Sequence, residues 1–215
     1  FSGTWRPPMA GGRNEVIEPA TGERLATTGQ ARAEDVAMAT AAAAAQQPAW
    51  EAVPPRQRAD IFLRAAQLLQ AEADECALFI ARETGGILPK AQHEVREAVL
   101  FLQLAAGQVM QPHGLVLPSN SGTLSYARRL PHGVVGVISP FNFPLILSIR
   151  AVAPALAAGN AVVLKPDPQT PIAGGFLIAR LFELAGLPEG VLHVLPGGAD
   201  AGAALCSDPH VRMIA

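Results

Sequence analysis

The second half of the chain alternates short apolar runs with longer apolar segments that have helical spacing. Residues 133–138 and 161–164 are rich in β-branched side chains, which predicts two buried strands. Residues 144–158 lie between them and begin with a proline, which suits the first turn of a helix, and Gly159-Asn160 ends that helix. A strand, a helix and a strand within about 30 residues predict a βαβ crossover.

The same alternation continues to the last residue. The pattern predicts a helix over residues 171–185, a strand over 191–195, a helix over 200–205 and a final strand from Val211. Helices that alternate with apolar strands indicate an α/β fold with a doubly wound, parallel, Rossmann-like sheet. The chain begins at Phe1 rather than at a methionine, and its final strand has no following helix. We therefore expect a truncated sheet and the N-terminal portion of a longer protein.

The first half of the chain is mainly helical. Helices are predicted over residues 33–45, 54–82 and 89–109, after a short strand at residues 15–18. Two short strands follow, at residues 115–117 and 124–128, with a turn-forming Ser-Asn-Ser-Gly segment between them. The pattern therefore divides the chain into a helical part, a hairpin and a βαβ region, at residues 1–112, 113–131 and 132–215. From the residues alone, the hairpin is an ordinary surface hairpin or an edge that pairs with a partner.

Composition and charge exclude several classes of function. Half of the 215 residues are hydrophobic and only 16% are charged, as in a globular protein with a large core. The net charge of −2, without a basic stripe, argues against nucleic acid as a partner. No apolar run reaches about 18 residues, so we expect no membrane span. The two cysteines cannot form a disulfide framework and no secretory signal is evident, so we expect a cytoplasmic protein.

Polar side chains follow both strands of the first crossover, at the edge where open α/β sheets bind ligands. The amide of Asn142 can donate a hydrogen bond to a developing oxyanion, or it can cap the helix that begins at Pro144. Lys165 can bind a ribose hydroxyl or a phosphate, or it can be a solvated lysine at a strand end. From these residues alone, both alternatives stay open at each position.

Several motifs resemble the aldehyde dehydrogenase superfamily over the chain from Trp5 to the last residue. The superfamily's cofactor domain has a similar Pro-aromatic-Asn-Phe-Pro turn, followed by a Gly-Asn-x-Val-x-x-Lys-Pro strand. The matching segments here are Pro140-Phe141-Asn142-Phe143-Pro144 and residues 159–166, with further matches at residues 14–23 and 186–191. Residues 165–170 and 195–198 look most like the group of aromatic aldehyde dehydrogenases that includes benzaldehyde dehydrogenases.

The resemblance implies an NAD(P)-dependent oxidation of an aldehyde, here an aromatic one, to the carboxylic acid through a cysteine thiohemiacetal. It implies that Asn142 stabilises the oxyanion of that intermediate and that Lys165 contacts the adenosine ribose. NAD-preferring members carry an acidic residue where this chain has Pro168, so we expect NAD to be used with weakened discrimination against NADP. The positions that the resemblance assigns to cofactor binding are Ile138, Ser139, Pro140, Phe141, Lys165, Pro168 and Gly198.

Neither cysteine of the chain suits a nucleophile. Cys76 lies beside Glu75 in a predicted helix, and Cys206 lies near a helix end, where the helix dipole disfavours a thiolate. The resemblance implies that the catalytic cysteine and glutamate come after Ala215, and that the full-length enzyme is a homodimer or tetramer. It also implies that residues 1–112 are the helical part of the cofactor domain, that residues 113–131 are the oligomerisation hairpin, and that residues 132–215 are the dinucleotide-binding region. The five histidines have no metal-ligand spacing, so we expect no metal.

Two other functions fit the same residues. The chain on its own could be a non-catalytic module that keeps the hairpin and the cofactor-binding region. The complete protein could instead be a related semialdehyde or acyl-phosphate reductase. The sequence beyond Ala215 and the mass of the native protein would separate these possibilities from the dehydrogenase.

Overall fold

A computed structural model describes residues 1–9 and 12–215 of the chain. The helices are α1 (Ala33–Glu51), α2 (Pro55–Ala71), α3 (Ala73–Thr84), α4 (Leu88–Val109), α5 (Pro144–Ala157), α6 (Leu177–Leu184) and α7 (Ala199–Ser207). A π-helical turn, Ile172–Phe176, leads directly into α6. The strands are β1 (Gly12–Ile17), β2 (Arg24–Gln30), β3 (Gly114–Leu117), β4 (Ser125–Arg128), β5 (Val134–Ile138), β6 (Ala161–Lys165), β7 (Leu192–Val194) and β8 (Val211–Ile214).

A four-stranded parallel sheet forms the centre of the fold, in the order β7-β6-β5-β8. Strands β5 and β6 pair in register from Val134 opposite Ala161 to Ile138 opposite Lys165. The chain builds the sheet outwards from β5 through β6 to β7, and then returns to add β8 on the other side of β5. This reversal is the topological switch point at which open α/β sheets bind ligands beyond the carboxyl ends of their strands. The predicted doubly wound α/β fold is confirmed.

Different helices cover the two faces of this sheet. Val134 and Val163 pack into one buried cluster with α1 and α7. Val135 and Leu164, which alternate with them along β5 and β6, pack on the other face into a cluster with α2 to α6. Strands buried on both faces explain why β5 and β6 are apolar at nearly every position.

The N-terminal helices share their core with the sheet. The rings of Phe62 in α2 and Phe182 in α6 meet edge to face, with centroids 5.9 Å apart. Trp50 in α1 is fully buried, and its indole N–H donates to the carbonyl oxygen of Leu156 in α5 at 2.9 Å. The helical segment is therefore packed against the four-stranded sheet as part of one core.

Some elements differ from the expectations. The predicted helix over residues 54–82 is two helices, because Glu72 leaves helical geometry, with φ −103° and ψ 19°, between α2 and α3. Helix α1 continues to Glu51. Strand β2 was not predicted, and it pairs antiparallel with β1. Its residues are mostly part-exposed and lack a clean apolar alternation, so the pairing with β1 is what defines it.

The hairpin of β3 and β4 is paired antiparallel and forms a separate two-stranded sheet. Val116 and Tyr126 stand opposite each other across the hairpin and are 77% and 67% exposed. On the other face Leu115 is 66% exposed. Both faces of this hairpin therefore present apolar side chains to solvent.

Candidate active site

The turn between β5 and α5, residues 139–143, projects from the carboxyl edge of the sheet. Its first residue, Ser139, is buried, and its N–H donates to the carbonyl oxygen of Lys165 at 3.1 Å. The hydroxyl oxygens of Ser139 and Ser148 are 2.6 Å apart, and Ser148 Oγ is 2.8 Å from the carbonyl oxygen of Gly174. Ser139 thus fastens the turn, whereas the next three residues, Pro140 to Asn142, are exposed.

The structure rules out the interpretation of Asn142 as a helix cap. The N-cap position of α5 is occupied by Phe143, which provides no side-chain hydrogen bond. The N–H groups of Leu145 and Ile146 donate instead to Oε1 of Glu94, at 2.7 Å and 3.3 Å. Asn142 is exposed at the edge of the sheet, and its side chain makes no capping hydrogen bond to α5.

Lys165 is not a solvated lysine, because it is only 8% exposed. Its Nζ donates to the carbonyl oxygens of Pro166 and Gly197, at 3.2 Å and 3.1 Å, and so links the ends of β6 and β7. Burial lowers the pKa of this ammonium, while the charge of Asp167 acts in the opposite direction. An ammonium has three donors, so one N–H remains for a ligand.

The segment after Lys165 is held by one hydrogen bond from β1 and by one within its own loop. Nδ2 of Asn14 in β1 donates to the carbonyl oxygen of Pro168 at 2.6 Å. Oδ1 of Asp167 accepts the N–H of Gln169 at 2.9 Å, so one oxygen of this carboxylate bonds within its own loop. Pro168 and Phe141 line a common cavity of about 400 Å³. The structure thus brings Pro168 to the same edge as the turn that carries Asn142.

Two consecutive glycines precede α7 and differ in what surrounds them. Gly198 is the N-cap of α7, and a Cβ there would lie 3.3 Å from Oδ1 of Asp200. A Cβ at Gly197 would lie 2.6 Å from Cβ of Ala201 and 2.9 Å from the carbonyl oxygen of Ala31. Close packing therefore requires a glycine at position 197, whereas Gly198 is partly open to solvent.

Neither cysteine of the chain is suited to be the nucleophile that the sequence resemblance calls for. Cys76 is buried in α3, and burial, followed by the charges of Glu72 and Glu75, raises the pKa of its thiol to about 11. Cys206 is exposed in the last turn of α7, away from the carboxyl edge of the sheet.

Over residues 1–9 and 12–215, no cluster of histidine, cysteine and acidic side chains has the arrangement of a metal site. No helix of the same residues is both long and apolar enough to cross a membrane.

Two buried carboxylates next to the site were missed by sequence reasoning. Glu94 caps α5, and Glu83 accepts the N–H groups of Ile172 and Ala173, at 2.9 Å and 2.7 Å, where the π-helical turn begins. Burial raises the pKa of Glu83 to about 7, although these two hydrogen bonds act against the shift. The sequence did contain a signal that these two glutamates are buried. Glu83 lies three residues after the buried Ile80, and Glu94 lies three residues after the buried Ala91, so each falls on the apolar face of its helix.

The sheet order defines a doubly wound, Rossmann-like α/β domain, with an exposed asparagine in the turn after β5 and a buried lysine at the end of the neighbouring strand β6. The model of the family described as "Aldehyde dehydrogenase family" matches residues 5–215. The chain belongs to the aldehyde dehydrogenase family.

Among its relatives is a vanillin dehydrogenase of Amycolatopsis sp., 54% identical over 214 residues. A benzaldehyde dehydrogenase [NAD(+)] of Pseudomonas putida is 46% identical over 215 residues. Each alignment covers 100% of this chain and 44% of the relative. The crystal structure of an NAD-dependent benzaldehyde dehydrogenase from Corynebacterium glutamicum superposes with a TM-score of 0.94 at 38% identity, and the match covers 100% of this chain and 48% of that one. The chain thus spans less than half the length of the curated relatives that it matches.

Proposed function

We propose that the full-length protein containing this chain oxidises an aromatic aldehyde to the carboxylic acid with NAD or NADP. This chain would supply the cofactor groove and one catalytic group. The observation that carries the proposal is the exposed amide of Asn142 at the carboxyl edge of the sheet, beside Lys165, in a chain of this family. The named relatives at 54% and 46% identity, a vanillin and a benzaldehyde dehydrogenase, favour an aromatic substrate.

The residues at this edge suit a dinucleotide. Ile138 and Phe141 are 36% and 49% exposed and offer apolar surface for a flat ring system. Lys165 keeps one donor for a ribose hydroxyl, and the partly open Gly198 lets a ligand approach the start of α7 closely. The bound cofactor would accept the hydride. The residues proposed to form the cofactor site are Ile138, Ser139, Pro140, Phe141, Lys165, Pro168 and Gly198. Ser139 is buried, so we assign it the role of holding the turn in place.

Asn142 would act on the oxygen of the aldehyde. When a cysteine sulfur adds to the carbonyl carbon, that oxygen gains negative charge, and a neutral amide N–H held in place stabilises it. The cysteine, and the glutamate that activates water, would come from residues after Ala215. The high pKa of the Cys76 thiol supports that division of roles, because this thiol is protonated at neutral pH.

The test is the reduction of NAD and NADP by the purified full-length protein. We expect turnover with vanillin and benzaldehyde, and a lower kcat/KM with succinate semialdehyde and with a straight-chain aliphatic aldehyde. An absence of turnover with every aldehyde would refute the proposal. A preference for succinate semialdehyde, or for an acyl phosphate and reduced cofactor, would favour the related semialdehyde dehydrogenases or reductases.

Substitution of Asn142 tests the catalytic assignment. Asn142→Ala should lower kcat by about 10²–10³-fold, the usual loss for an oxyanion donor, with little change in cofactor affinity. Asn120→Ala is the matched control, because Asn120 lies in the exposed turn between β3 and β4. Near-normal turnover of Asn142→Ala would mean that the amide has no part in the chemistry.

A further inference from the structure

The start of helix α5 is stabilised by a residue from another helix. Glu94 in α4 is fully buried, and its Oε1 accepts hydrogen bonds from the N–H groups of Leu145 and Ile146. Glu94 precedes Leu145 by 51 residues, whereas a helix N-terminus is ordinarily capped by the residue at its own N-cap. The position and orientation of the α5 N-terminus therefore depend on α4.

A lysine couples this carboxylate to the turn. Nζ of Lys90, one helical turn before Glu94, lies 3.2 Å from its Oε2. The same Nζ lies 4.3 Å from the centre of the Phe143 ring, within the range of a cation–π interaction. Phe143 directly follows Asn142. Glu94 thus binds the backbone of the first turn of α5, and Lys90 contacts the ring of Phe143, the residue after Asn142.

The other end of the turn is fastened independently. The Ser139 N–H bonds to the carbonyl of Lys165, and the hydroxyl groups of Ser139 and Ser148 are in contact. Between these two anchors, Pro140 to Asn142 are exposed. The backbone at both ends therefore decides where the Asn142 amide points, and an error of about 1 Å in such a group can cost about 10²-fold in rate.

We propose that Glu94, with Lys90, is a positioning residue for the Asn142 amide, acting through the N-terminus of α5. The proposal rests on the proposed function, because it assumes that this amide stabilises an oxyanion. Glu94 touches neither substrate nor cofactor. Its carboxylate keeps the last residues of the turn at a constant distance from the carboxyl edge of β5 and β6.

The experiment is a double-mutant cycle in the full-length enzyme. Glu94→Ala should lower kcat at least about 10-fold and leave the KM for NAD within about 2-fold. Glu94→Gln should recover most of the loss, since its amide oxygen still accepts the Leu145 N–H. In an Asn142→Ala background, Glu94→Ala should lower kcat by no more than about 3-fold, because the group that it positions is gone. Glu97→Ala, at a half-buried position of α4, is the matched control.

Equal losses in the two backgrounds would overturn the proposal, as would normal turnover of Glu94→Ala. Should Glu94→Ala fail to fold, Lys90→Met carries the same cycle, because it keeps the cap and removes the ammonium. A crystal structure of either variant gives a readout that does not need activity: the Asn142 amide should shift by about 1 Å or more, and an unchanged position refutes the inference. An inactive wild-type enzyme would refute the proposed function alone.

Discussion

At the scale of single residues, buried carboxylates stabilise the helix starts around the site. Glu83 holds the first N–H groups of the π-helical turn, as Glu94 holds those of α5. Both glutamates come from the N-terminal helices and reach across to the sheet layer. Each accepts two hydrogen bonds from backbone N–H groups that would otherwise have no partner at the helix start.

Glu83 should make stability depend on pH. Its pKa is raised from 4.5 to about 7 in the folded protein, mainly by burial. Between these values the folded state keeps a proton that the unfolded chain releases, so stability should fall as pH rises through this window, by about 1.4 kcal/mol per pH unit. Glu83→Gln cannot titrate and should lose this dependence, as measured by unfolding midpoints across the window.

Glu75→Gln is the control for this prediction, since it makes the same chemical change at an exposed carboxylate of the same helix. The control should keep the slope of the wild-type protein. A Glu83→Gln variant with an unchanged slope would show that other groups produce the pH dependence.

The choice between NAD and NADP is also decided by single residues. Pro168 has no side-chain acceptor for the ribose hydroxyls and no charge that would repel a 2′-phosphate. The carboxylate of Asp167, the nearest acidic group in this loop, accepts the N–H of Gln169. We therefore expect kcat/KM for NAD to exceed that for NADP by less than about 10³-fold, roughly 4 kcal/mol.

Pro168→Glu should raise this ratio, because a carboxylate binds the ribose hydroxyls and repels the 2′-phosphate. Pro168→Gln is the matched variant without charge and should raise it less. The hydrogen bond from Asn14 goes to the backbone carbonyl of residue 168, so it is available in all three proteins. If the wild-type enzyme already prefers NAD by more than about 10³-fold, a group other than residue 168 must discriminate against NADP.

At the scale of elements, the β3–β4 hairpin exposes several large apolar side chains on only eight strand residues. Val116 and Tyr126 form a cross-strand pair that is mostly exposed, and Leu115 is exposed on the opposite face. Two-stranded sheets also leave both edges without hydrogen-bond partners. These features favour burial against another subunit.

We expect the full-length protein to be a dimer or tetramer that uses this hairpin. A double substitution, Val116→Glu with Tyr126→Glu, places two like charges on the exposed pair and should shift the mass measured by light scattering at micromolar concentration towards the monomer. Thr123→Glu, in the exposed turn of the hairpin, is the control. A monomeric wild-type protein would contradict the expectation directly.

At the scale of the whole molecule, the chain holds the proposed cofactor edge and oxyanion donor but no suitable nucleophile. We predict that the 215 residues alone give no steady reduction of NAD with an aldehyde, because the Cys76 thiol has a pKa of about 11 and Cys206 lies at the end of α7. Sustained turnover by this polypeptide would contradict the prediction. A native protein with the mass of this chain alone would instead favour the non-catalytic module.

The local sequence determined the alternation of strands and helices and the positions of Asn142 and Lys165 after neighbouring strands. Such features depend on side-chain periodicity and on residues a few positions apart, and both can be read from the sequence without a structure. The parallel sheet followed from that alternation, since a crossover helix joins strands that run in the same direction. The family resemblance added the roles of the residues and the need for a nucleophile from elsewhere.

Only the tertiary structure decided whether Asn142 is a cap or a free amide, and whether Lys165 is solvated or buried. Glu94, 51 residues before Leu145, occupies the capping role, and the carbonyl of Gly197 holds Lys165 from a different strand end. The pairing of β2 with β1 likewise depends on a partner rather than on its own pattern. Such contacts join residues that are distant along the chain, and local propensities contain no information about which distant groups will satisfy a backbone N–H or an ammonium.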